Sequence, residues 1–171
     1  MKRIILGAMI IIGSTLTALG QPMQGDNLFE GQHAPLFQGM GVHNFDISST
    51  DKLVNIYFNQ AIALTYGFNH LEAARSYEQI VKIDPNSAIS YWGQALVLGP
   101  NLNATMESAS VSSAFDHIQK AKSLKNYASQ KEKDLIDALA KRYSEDETLT
   151  DRTKLDQAYA DAMRKVAAKY P

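Results

Sequence analysis

"YFNQAIAL" at residues 57–64 returns as "YWGQALVL" at residues 91–98, with Tyr57 and Tyr91, Gln60 and Gln94, Ala61 and Ala95, and Leu64 and Leu98 identical at an offset of 34. A segment echoed at that distance marks a supersecondary unit that has been copied, because one unit alone cannot bury its apolar face. The residues around it have helical spacing. Val54, Tyr57, Phe58, Ala61, Ile62 and Thr65 follow i, i+3, i+4, i+7, i+8, and Ala73, Ala74, Tyr77, Ile80 and Val81 do the same for a second helix. The pattern predicts an all-α chain over residues 51–171, built from about three stacked antiparallel helix pairs.

The period and its residues resemble the tetratricopeptide repeat family. With Pro85 as the proline that closes a repeat, the small residue of helix A falls on Ala61, the small residue of helix B on Ala73 and its aromatic on Tyr77. Ile80 departs from the family, which prefers alanine there. Ala114, Ile118 and Ala121 reproduce the helix B spacing after seven extra residues in "NLNATMESASVSS" (101–113). In "SQKEKDLIDALAKRY" (129–143) and "LTDRTKLDQAYADAMRKVAAKYP" (149–171), Tyr159, Met163 and Val166 stand to Pro171 as Ala73, Tyr77 and Ile80 stand to Pro85. The resemblance implies an α-solenoid, and for function a scaffold that binds a peptide or protein. "YGFNHLEAARSY" (66–77) followed by "DPNSAISYWGQALVLGPNLN" (84–103) is also similar to the amino-terminal region of larger bacterial exported tetratricopeptide-like proteins, whose longer members carry histidine-rich helical segments further on. Ending at Pro171, where another helix would begin, the chain is expected to be truncated.

The first residues give an address. "MKR" is a positive n-region, "IILGAMIIIGSTLTAL" (4–19) is apolar, and Ala18 and Gly20 occupy the small-residue places of a leader-peptidase site. Residues 1–20 read as a signal peptide and the chain as exported, periplasmic or secreted. An uncleaved anchor is the alternative, disfavoured because the run is short of the ~20 residues a spanning helix needs. Residues 21–50 lack a period and read as an irregular linker whose later part packs on the first helix.

Charge narrows the partners. Residues 21–110 carry eight acidic and three basic side chains, and residues 111–171 carry ten and twelve. That balance is not the basic footprint of a nucleic-acid binder or of a polybasic lipid patch. Without cysteine there is no disulfide, thiolate metal site or CxxCH haem attachment. No phosphate loop, nucleophile elbow or HExxH motif is present, so no catalytic residue is assigned.

Local punctuation is legible too. Gly67 reads as a helix stop, Asn69 with Glu72 as a capping box for the second helix, Asp84 before Pro85 as the cap of the third, and Ser129 with Glu132 as the cap of the fifth. Trp92, 34 residues after Phe58, reads as repeat core.

Two functions follow. In the first, helix A residues Asn55, Asn59, Gln60 and Gln94 line a concave face that holds a peptide or protein segment, with no cofactor. In the second, the chain is the amino-terminal part of a metal- or cofactor-binding exported protein. His70, in the first turn of a helix where the dipole favours neutral imidazole, then meets Asn101 and Asn103 of the next turn. His43 would reach the same edge to hold a transition metal. His33 and His117 read as solvated or edge residues.

Overall fold

Asp51 starts the first helix. Its carboxylate accepts from the N–H groups of Leu53 and Val54 at 2.7 and 3.2 Å, satisfying donors that the first helical turn leaves open. The computed structural model describes residues 34–41, 44–146 and 148–171; the expected leader at 1–20, the linker residues 21–33 and His33 and His43 lie outside these. The described residues form α1 (Lys52–Tyr66), α2 (His70–Ile83), α3 (Ala88–Leu98), α4 (Val111–Ser123), α5 (Gln130–Leu139) and α6 (Thr153–Lys169), and contain no strand. The chain is all-α. No helix among the described residues is long and apolar enough to cross a membrane.

The helical spacing read from the sequence becomes a buried face. Val54, Tyr57, Phe58, Ala61, Leu64 and Thr65 of α1 are buried, as are Ala73, Ala74, Tyr77 and Ile80 of α2. The two helices run antiparallel, with Gln60 Nε2 donating to Ser76 Oγ at 3.0 Å and Thr65 and Tyr77 hydroxyls 3.4 Å apart. Thr65 Oγ1 donates to the Ala61 carbonyl at 2.7 Å, so the Tyr77 hydroxyl is the donor to Thr65. Successive helices pack through α4, α5 touches α3 and α4, and α6 lies on α5. Trp92 and Ala95 join the same core.

Two of the expected caps are built differently. Gly67 ends α1 at φ −79°, and the left-handed residue is Phe68 at φ 60°. The Asn69 N–H reaches the Leu64 carbonyl and the Phe68 N–H the Thr65 carbonyl, at 2.9 and 3.2 Å, so the helix stops at Gly67 as the sequence suggested, with the left-handed residue one position beyond it. A Cβ at Gly67 would also lie 3.0 Å from the Ala63 carbonyl oxygen, a close approach that glycine avoids. Because its N–H is already used, Asn69 forms no capping box. Its side chain accepts from Glu72 N at 3.5 Å, while the Glu72 carboxylate pairs with Arg75 at 2.7 Å.

Asp84 does not cap α3. Its carboxylate accepts from Asn86 N at 3.0 Å, and its carbonyl from Ser87 N at 3.1 Å, so Pro85 sits second in a four-residue turn where its fixed φ fits. The helix then starts after Ser87. Ser129 and Glu132 form the full capping box: Glu132 N donates to Ser129 Oγ at 3.3 Å and Ser129 N to Glu132 Oε2 at 2.6 Å.

The last helix has no fully buried residue; Tyr159, Met163 and Val166 are half-buried against the core. Arg142 lies over the Tyr159 ring at 4.8 Å, and Lys169 Nζ and the Tyr170 hydroxyl donate to Asp134 at 2.6 and 2.7 Å. These bonds, that from Lys169 first, with one from Gln130, hold the Asp134 carboxyl at about 2, below its ordinary 3.8. A depressed carboxyl contributes stability that is complete above its unfolded value and is lost as pH falls through the folded one. The docking of α6 on α5 is therefore expected to weaken between about pH 4 and about pH 2. Amide exchange in α6 checks it: Asp134→Asn should raise exchange at neutral pH and flatten that acid step.

Candidate functional site

The segment before α1 is irregular, and side chains of α1 hold its backbone. Tyr57 donates its hydroxyl to the Ala34 carbonyl at 2.8 Å, and Asn59 Oδ1 accepts from Phe45 N at 2.8 Å. Gln60 donates through Nε2 to the Pro35 carbonyl at 2.9 Å and accepts through Oε1 from Phe37 N at 2.8 Å. This side-chain amide brackets Leu36 as a parallel strand would, taking the carbonyl before it and the N–H after it. The second Nε2 proton goes to Ser76 Oγ, and Ser76 Oγ donates to the Glu72 carbonyl at 2.9 Å. Gln60 is thereby fixed in the orientation that reads an extended chain.

The other end of the segment is anchored on α5. Ser48 N donates to Glu132 Oε1 at 3.1 Å and Ser48 Oγ to the Tyr127 carbonyl at 3.1 Å. Glu132 is fully buried, and its two oxygens receive the Ser48 and Ser129 N–H groups. Phe45 packs on Phe58 with centroids 5.5 Å apart, under Lys131 Nζ at 4.3 Å. Between the segment and α1 lies a cavity of about 570 Å³, whose lining includes Leu36, Phe37, Met40, Asn55, Ile56 and Gln60.

The four residues expected on an open concave face are therefore placed otherwise. Asn59 and Gln60 are engaged by the chain's own segment. Asn55 Nδ2 donates to the Ser49 and Asp51 carbonyls at 2.9 and 2.8 Å, shaping the entry to α1. Gln94 is only 3 % exposed, inside the α3 packing, where a partner cannot reach it.

Of the expected metal-binding residues His43 lies outside the described residues, and His70, Asn101 and Asn103 have separate surroundings. His70 opens α2 with its ring 6.2 Å from that of Phe68. Asn101 Oδ1 is taken up by its own turn, accepting from Asn103 N and Ala104 N at 2.8 and 3.1 Å. Asn103 is exposed. Among the described residues there is no group of three or more histidine, aspartate or glutamate side chains placed to hold a metal ion. His117, expected to be a solvated or edge residue, is half-buried beside Tyr91, ring centroids 6.4 Å apart. Burial pushes its imidazole below the ordinary value against an opposing pull from Asp116.

Sequence reasoning missed Tyr57, Ser76, Lys131 and Glu132 as parts of the site. Tyr57 stands on the buried stripe and reads as core, and Ser76, also buried, was not singled out. Glu132 was legible as a cap, but its second bond, to Ser48, spans 84 positions. Compared with models of known protein families, with curated proteins and with solved structures, the chain matches none.

Proposed function

We propose that this chain is an exported tetratricopeptide-like scaffold that holds a peptide or protein partner on the α1 face carrying Asn59 and Gln60. The observation that carries the reading is the paired hydrogen bonding of Gln60 to the backbone either side of Leu36, since a side-chain amide that satisfies a carbonyl and an N–H of extended chain is peptide-recognition chemistry independent of the peptide's side chains. The 34-residue echo, the fully buried Ala61 and Ala73 and the packing of successive helices support the repeat architecture, and the leader-like residues 1–20 support export.

A random-peptide library selected on the purified chain tests this. It is expected to return extended peptides whose affinity drops about tenfold or more with Gln60→Leu, a change that keeps the buried volume and removes the amide. Failure to enrich any peptide, or enrichment only of peptides indifferent to Gln60→Leu and Asn59→Leu, would overturn the reading.

A further inference from the structure

We infer that residues 34–37 are a displaceable stand-in for the partner, and that the Tyr57 and Gln60 end of the groove takes from another protein an extended segment beginning with a small residue and proline. The inference rests on the scaffold reading above and adds what is bound and what guards the site. The polar contacts that the described residues make to residues 34–37 are to backbone: the Ala34 carbonyl by Tyr57, the Pro35 carbonyl and the Phe37 N–H by Gln60. Another chain can make all three. The one side chain of the four that is enclosed is the Ala34 methyl, 3 % exposed, which limits the first position of an incoming segment to a small residue. Proline fits the second because the groove uses that residue's carbonyl and asks nothing of its N–H, which proline lacks.

The resident segment does not use all the apolar contact its side chains could make. Leu36 and Phe37 leave 47 % and 41 % of their surface in water, so a large part of their apolar area is still open to burial. A partner with larger apolar side chains at these two positions gains burial over Ile56 and Asn55 that the resident does not. The two ends of the segment are separable: Phe45 and Ser48 are anchored on α1 and α5 independently. Between them Gly39 and Gly41 take φ of 77° and 82°, a conformation that glycine adopts without the Cβ penalty. Residues 34–37 can leave while residues 45–48 stay.

The test uses the full chain and a labelled, end-capped APLFQG peptide, the sequence of residues 34–39. Ala34→Glu in the protein puts a charge into the methyl site and should evict the resident segment, raising affinity for the peptide about tenfold or more over the parent. The gain should vanish when Gln60→Leu is added, and a peptide starting with glutamate should not bind. An Ala34→Glu chain with parental helicity and parental affinity overturns the inference, as does a gain that survives Gln60→Leu. Hydrogen exchange on the unaltered chain gives a second reading. Saturation with a library-selected, Gln60-dependent peptide should deprotect the Phe37 amide; if Phe37 stays protected, the partner adds beside the segment, and the inference falls while the scaffold reading stands.

Discussion

Replacing Gly93 by alanine is expected to destabilise the protein by about 3 kcal/mol, at the upper end of overpacking effects. Gly93 is buried within α3, where alanine would ordinarily favour the helix by about 1 kcal/mol, so the sign of the change separates a helical role from a packing one. Its Cα faces the ring of Tyr77, and a methyl group there would overlap the Tyr77 ring atoms. The ring has no room to retreat. Tyr77 is fully buried, Phe58 stands edge-on at 5.9 Å between centroids, and the hydroxyl is bonded to Thr65. The denaturant midpoint of Gly93→Ala measures the loss. Repeating it in a Tyr77→Leu background should bring the cost of the alanine near zero, because the pair is in contact and its effects do not add. A stabilised Gly93→Ala chain would show that α2 and α3 do not meet at this point.

That contact marks how far the sequence could be read. The 34-residue echo located Gly93 at the place of Asn59, and periodicity located Tyr77 on the buried stripe of α2, yet nothing local joins the two. Features that depend on three or four neighbouring residues were legible, as with Ser129 and Glu132, whose capping box has its full pair of bonds. Asn69 was legible as a cap, but its failure to form a box depends on the Leu64 carbonyl having taken its N–H. The candidate site divides in the same way. Asn59 and Gln60 were legible as polar helix A residues and the later linker as a segment packed on the first helix, but which backbone groups those side chains would hold was not. Residues 34–48 have no period, and a backbone held by side chains leaves little trace in its own sequence.

The C-terminal elements should depend on one tyrosine. Tyr143→Ala is expected to cost about 3–5 kcal/mol, as large aromatic truncations in cores do. Tyr143 is buried after α5 and lies against Gly99, with its hydroxyl donating to the Ala95 carbonyl at 2.5 Å. That carbonyl has lost its helical partner, because the Gly99 N–H turns to Leu96 instead, at 3.2 Å. Tyr143→Phe keeps the ring and strands the carbonyl, and should cost about 1–3 kcal/mol. The ring also fixes the start of the connection to α6, so amide exchange in α6 should rise in the alanine variant more than in α1 and α2. Burial pushes the Tyr143 phenol above its ordinary 10.0, with Arg142 opposing. A folded phenol so raised contributes stability that is complete below its unfolded value and lost as pH rises above it. Tyr143→Phe should therefore soften the decline in stability above about pH 10 that the parent shows. If the alanine variant kept the parental midpoint and α6 its protection, the end of α3 would not be what holds the C-terminal elements in place.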